Sequence, residues 1–258
     1  MWCNRKRRVI LSRRPRKLAP RLGSVKVSTP FSAAADISVR IIPMLDLPAR
    51  KKRVGHVVRI LTERYHDAKC SLDHDGPFQL LIATILSAQC TDVRVNMVTP
   101  DLFASFPDAR AFAEAPVEEI EEAIRSTGFF RQKAKSIKSC STDIIEKHGG
   151  ELPTTIDDFV KLAGVGRKTA NVVLGVAMGK PDGVVVDTHV GRIAVKLGLT
   201  EHGPKDAVKI ERDLNACVPK KDWVGIGHLL IDHGRAVCRA RKPDCDACPL
   251  YRHCEARA

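Results

Sequence analysis

Leu162-Ala-Gly-Val-Gly-Arg-Lys-Thr-Ala-Asn-Val-Val-Leu174 is the stretch on which the reading of this chain turns. Gly164 and Gly166 permit a tight turn whose backbone comes close to a phosphate, an approach that a Cβ would obstruct. The turn opens a helix N-terminus, where unpaired N–H groups and the macrodipole favour an anion. Contacts of that kind hold a nucleic-acid backbone without reading its bases. Lys168 falls in the first turn of the same helix and is a candidate amine nucleophile. Downstream comes Val186-Asp-Thr-His189 before an apolar segment, so Asp187 is a candidate helix cap and a candidate catalytic carboxylate. His189 reads as a structural histidine.

Outward from the hairpin the pattern is helical. Val54–Tyr65 has one apolar face, Pro77 starts a helix through the apolar run to Leu86, and helices are expected at Arg94–Phe106, Val117–Ser126 and Gln132–Lys147. Gly149-Gly150 stops the last of these. Thr155 can cap a helix that runs to the Gly164–Gly166 turn, and the next is expected over Arg167–Met178. Two more are expected near Ala207–Cys217 and Trp223–Asp232, while Val184–Val186 alone hints at a strand.

At 258 residues and 44% hydrophobic, the chain can bury a substantial core. No apolar run approaches the ~18–20 residues of a membrane-spanning helix. The formal charge of +13 is concentrated at one end: residues 1–53 hold 15 Lys and Arg against Asp36 and Asp46, and the remaining 28 bases and 28 acids cancel. Such an arm can raise affinity for a phosphate backbone through counterion release. It can equally be a solvated tail, an organelle transit peptide, or sequence upstream of a true start at Met44.

Nine cysteines, five of them scattered, do not read as a disulfide framework in a chain of this length. Four of them, Cys238, Cys245, Cys248 and Cys254, follow the spacing C-x6-C-x2-C-x5-C, which suits zinc or an iron–sulfur cluster. Cys3, Cys70, Cys90, Cys140 and Cys217 read as buried or incidental.

Together with Leu86-Ser-Ala-Gln-Cys-Thr-Asp92, these motifs resemble the endonuclease III family, the iron–sulfur branch of the helix-hairpin-helix DNA glycosylases. The resemblance runs from about Val54 to Cys254. It implies an all-α, two-domain fold with a C-terminal [4Fe–4S] cluster loop. The implied divisions are a basic arm at 1–44, a cluster domain from 45–69 with 182–258, and a helical bundle at 70–181 ending in the hairpin.

The implied activity is that of a bifunctional DNA glycosylase and AP lyase, excising oxidised pyrimidines from duplex DNA in base-excision repair. Lys168 would attack C1′ of the damaged nucleotide, and Asp187 would stabilise the charge that develops on the sugar. Gly164, Val165, Gly166 and Arg167 would hold DNA, Gln89 and Phe129 would fill the space left by an extruded base, and Asp92 would lie near the lesion pocket. Cys238, Cys245, Cys248 and Cys254 would hold the [4Fe–4S] cluster, stapling a loop that carries Arg239, Arg241 and Lys242 toward the phosphates. Damaged double-stranded DNA is then the partner, with the chain a monomer in a bacterial cytoplasm or nucleoid, or in an organelle if the arm is a targeting segment.

The sequence departs from the family pattern at Phe129, where leucine is usual and the ring can be wedge or core. It departs also at Cys90 in place of alanine and Ala163 in place of proline. Two rivals remain open: an adenine-mismatch glycosylase, and a non-catalytic iron–sulfur DNA-binding module. The first lacks the lysine nucleophile and carries a further C-terminal domain, whereas here Lys168 is present and four residues follow Cys254.

Overall fold

Helix starts in this chain follow capping chemistry. Asp46 caps α1 (Leu47–Arg64), its Oδ1 accepting the Ala49 N–H at 2.8 Å. Pro77 opens α2 (Pro77–Leu86), and the Thr91 hydroxyl accepts the Arg94 N–H to start α3 (Asp92–Ser105). Asp108 caps α4 (Ala109–Glu114), a helix that the sequence reading does not contain; α5 (Val117–Ala123) follows Pro116. The long α6 (Phe130–His148) stops at Gly149, whose φ of 62° ends the helix in the left-handed region. The computed structural model describes residues 43–257, so the expected arm, apart from Pro43 and Met44, and Cys3 lie outside the described residues.

Around the hairpin the helices are shorter than their patterns suggest. Thr155 does cap a helix, but α7 (Ile156–Phe159) unwinds well before Gly164. After the turn, α8 (Arg167–Val172) widens into a π-helical turn, Val173–Ala177, whose last bond runs from the Met178 N–H to the Val173 carbonyl. Downstream lie α9 (Thr188–Lys196), α10 (Ala207–Cys217) and α11 (Trp223–Ala236). Among the described residues there is no strand: Val184–Val186 is an extended connection, with the Val184 N–H donating to Asn215 Oδ1 at 2.9 Å.

Two separate cores form. Leu80 and Leu81 of α2, Phe112 of α4, Ile137 of α6, Phe159 of α7 and Leu174 belong to the first. The second draws on both ends of the described chain, burying Val57 and Leu61 of α1 with Val190 and Ile193 of α9, Leu214 of α10 and Leu230 of α11. The apolar face 54, 57, 61 therefore meets helices more than a hundred residues away. Close packing sets α9 against α11, since a Cβ on Gly234 would lie 2.5 Å from the His189 ring. A charged staple ties the hairpin to α10: the Arg167 guanidinium donates twice to Glu211, at 2.8 and 3.1 Å.

Candidate functional site

Between the two cores runs a cleft of about 160 Å³. One wall is a single face of α8 and its continuation, carrying Lys168, Asn171, Val172 and Val176. The opposite wall is a face of α11 at helical spacing, from Val224 through Gly227, His228 and Ile231 to Arg235. Ser71, Thr84, Ser87 and Asp92 line another side, and Asp187 stands at the start of α9. Lys168 and Asp187 thus reach one cleft from different cores.

Asp187 is held in place by the cap it makes. Its Oδ1 accepts the N–H groups of His189 and Val190, both at 2.8 Å, while Oδ2 takes no hydrogen bond from the described residues. Burial lowers the pKa of His189 and of His228, which favours the neutral ring in each. Asn171, one turn beyond Lys168, donates from Nδ2 to Glu211 while its buried Oδ1 has no partner. That orphan acceptor in the cleft wall is a feature the sequence reading misses.

The hairpin divides its work between side chains and backbone. Val165 is buried and packs into the first core. Gly164 must be glycine twice over: its φ is +75°, and a Cβ there would sit 2.7 Å from that of Ser136. Gly166 caps α8 with φ −94°, and a Cβ on it would meet no protein atom within 4 Å. Nothing within the fold demands glycine at 166. The Arg167 guanidinium, expected to contact DNA, is engaged within the fold by Glu211, with Asp182 3.8 Å away.

Gln89 and Phe129 are the two non-glycine residues with positive φ among those described, at 53° and 48°. Both are exposed, Phe129 at 67%, which settles the wedge-or-core question for that ring against the core. A bulky residue in the left-handed region is strained, and such strain collects at sites of function. Asp92 lines the cleft but is not free: it accepts from Arg235 Nη2 at 2.8 Å and from the Ser71 hydroxyl at 2.9 Å. This clasp joins α3 to the last turn of α11, and only Asp92 of its three members is singled out by sequence.

The four cysteines leave α11 and end near the C-terminus, with Cys245 exposed and the other three half-buried. They are neighbours: burial raises the pKa of the Cys248 thiol, and the charges of Cys238, Cys254 and Cys245 raise it further. The backbone fixes this loop. Leu250 is inserted into the second core, the Glu255 N–H donates to Lys196 O, and Arg53 pairs with the Glu255 carboxylate at 2.6 Å. Arg192 also donates to Cys238 O at 2.6 Å. Among the described residues, no three side chains of the ligating types converge as they stand on a single metal ion. The donor set is nevertheless all sulfur, from one anchored loop, and fits a thiolate-bound cluster chemically. Of the remaining cysteines, Cys140 and Cys217 are buried, and Cys70 and Cys90 half-buried.

Residues 82–220 match the family model described as HhH-GPD superfamily base excision DNA repair protein. The chain belongs to that superfamily. Within the HhH-GPD proteins, endonuclease III of Synechocystis sp. is 51% identical over 208 residues, covering 81% of this chain and 94% of its own. Two solved structures superpose with TM-scores of 0.75: a non-covalent endonuclease III–DNA complex at 40% identity, and a trapped endonuclease III–DNA covalent intermediate at 41%. Each covers 82% of this chain and 96% of the other. The chain is therefore an HhH-GPD protein of the endonuclease III type with the all-α fold, and none of its described helices is long and apolar enough to cross a membrane.

Proposed function

We propose that this chain is a bifunctional DNA glycosylase and AP lyase that removes oxidised pyrimidines from duplex DNA in base-excision repair. The observation that carries the reading is the arrival of Lys168 and Asp187 in one cleft from two different cores. A base must leave the stack before its C1′ is accessible, and a cleft between two bodies can receive it. The Lys168 amine attacks C1′ and displaces the base, which leaves with its bonding electrons. The sugar ring opens to a Schiff base on Nζ, and loss of a C2′ proton expels the 3′ phosphate by β-elimination. The Asp187 carboxylate, fixed by its two capping bonds, opposes the positive charge that develops on the sugar.

The turn at Gly164–Gly166 contributes backbone N–H groups to a phosphate, and the open space around Gly166 suits that approach. Gln89 and Phe129, exposed and strained, fill the vacated position in the duplex. The two cores are the family's two domains, one from 45–69 with 182–258 and the other from 70–181. Cys238, Cys245, Cys248 and Cys254 hold a [4Fe–4S] cluster; when bound, it supplies four iron–thiolate bonds that cross-link the loop bearing Arg239, Arg241 and Lys242.

Borohydride reduction in the presence of abasic-site duplex tests the reading. A covalent protein–DNA adduct is expected with the unsubstituted chain, and Lys168→Ala is expected to lose the adduct and about a thousandfold in strand cleavage. A Lys168→Ala protein that still forms the adduct would refute the assignment. Iron and acid-labile sulfide in the purified protein, in place of zinc, check the cluster.

A further inference from the structure

Lys133 is a buried charge among the described residues that the chemistry above leaves unexplained. It lies in the first turn of α6 with 5% of its surface exposed, on the apolar face shared with Ile137, Cys140 and Ile144. Among the described residues, no carboxylate is paired with it. Its Nζ donates instead to two backbone carbonyls, Leu86 O at 2.7 Å and Thr127 O at 2.9 Å. Burial lowers its pKa, the expected response of an ammonium taken from water without a counter-ion.

Both acceptors end a helical segment. Leu86 is the last residue of α2, and Thr127 closes the 3-10 turn Arg125–Thr127. Carbonyls at such ends lack partners within the helix and sit at the negative end of its dipole, so one ammonium satisfies two ends together. The chain then enters Ser87-Ala88-Gln89 from the first acceptor and Gly128-Phe129 from the second. The Lys133 main chain adds a third tie, its N–H donating to Phe129 O at 3.1 Å. The two strained, exposed side chains therefore stand on loops braced by the same residue.

We propose that Lys133 is a positioning residue that sets the spacing of the Gln89 and Phe129 loops, so that the two side chains enter the duplex as one two-pronged wedge. This rests on the wedge reading of Gln89 and Phe129 given above. A buried ammonium contributes little net stability against an apolar side chain of similar size, whereas fixing the register of two elements is a recognised use of buried polar groups. Neither loop has another described bond from its own end carbonyl to the opposite loop.

The test compares cleavage of one abasic site in duplex and in single-stranded DNA of the same sequence, where no vacated stack needs filling. Lys133→Met keeps an unbranched side chain one atom shorter and removes its donors. It is expected to slow duplex cleavage by about tenfold to a hundredfold while single-strand cleavage stays within about twofold. Equal losses on both substrates, or no loss on duplex, overturn the proposal. Lys133→Gln, which keeps a donor without reach to both carbonyls, serves if the methionine variant does not fold; failure of both to fold assigns the ammonium to stability and also overturns it. The Gln89→Ala/Phe129→Ala double variant separates the two readings. If it cleaves duplex normally, the wedge itself fails; if it is impaired while Lys133→Met is not, the wedge stands and the brace fails.

Discussion

Asp187 shows how one side chain can serve the fold and the reaction without compromise. Capping uses Oδ1, which accepts two N–H groups at 2.8 Å, and the carboxylate is thereby immobilised at the cleft that Lys168 lines. The two roles separate by substitution, because asparagine caps a helix about as well as aspartate but carries no charge. Asp187→Asn is expected to keep the thermal midpoint and to lose about a hundredfold to a thousandfold in base excision under single-turnover conditions. Asp187→Ala removes the cap too, at about 1 kcal/mol, and lowers the midpoint by about 2–4 °C for a chain of this size. Full activity in the asparagine variant would leave this aspartate as a cap alone.

The turn between α7 and α8 carries a second separation, between its two glycines. Gly164 answers to the protein, through its positive φ and its contact with Ser136, so Gly164→Ala is expected to destabilise by about 1–3 kcal/mol in denaturant titration. Gly166 answers to the open space in front of α8. Gly166→Ser keeps a good cap, so unfolding is expected to be unchanged while affinity for abasic-site duplex falls about tenfold. The hairpin was legible because it is local: glycine positions, a cap and an apolar run all lie within a short stretch. The helix start at Thr155 was read by the same local logic, whereas the caps at Asp46 and Thr91 were not, and α4 behind Asp108 is only six residues long and gives too short a period to register. Lys133 was hidden for the opposite reason. Its place on the apolar face of α6, four residues before Ile137, was visible, but the carbonyls that justify burying an ammonium lie at Leu86 and Thr127, on other elements. The Arg167 ion pair was hidden for the same cause, since its partner Glu211 is 44 residues away.

At the level of the whole molecule, α1 leaves its neighbours in sequence to pack with α10 and α11 in the core that also holds α9, so the chain crosses between cores and back, and the cleft lies between them. Two charged ties hold the cores at a fixed separation: Arg235 with Asp92 on one side of the cleft, and Arg167 with Glu211 behind the hairpin. The second is the more consequential. Glu211 is largely buried, and a Cβ on Gly183 would lie 2.4 Å from its Oε1, so the carboxylate has little room to turn elsewhere. Removing the guanidinium would leave that charge with the Asn171 amide at 3.2 Å as its remaining side-chain partner. Arg167 is itself half-exposed, which reduces what the pair contributes, and the loss in Arg167→Ala is expected to be about 1–2 kcal/mol. If the pair serves only to brace the cores, Arg167→Ala should unfold earlier in urea, and its abasic-duplex binding should retain the salt dependence of the unsubstituted chain. A guanidinium that touched phosphate would instead take about one ion from the slope of log affinity against log salt. Measuring that slope for both proteins therefore decides whether Arg167 belongs to the fold or to the DNA.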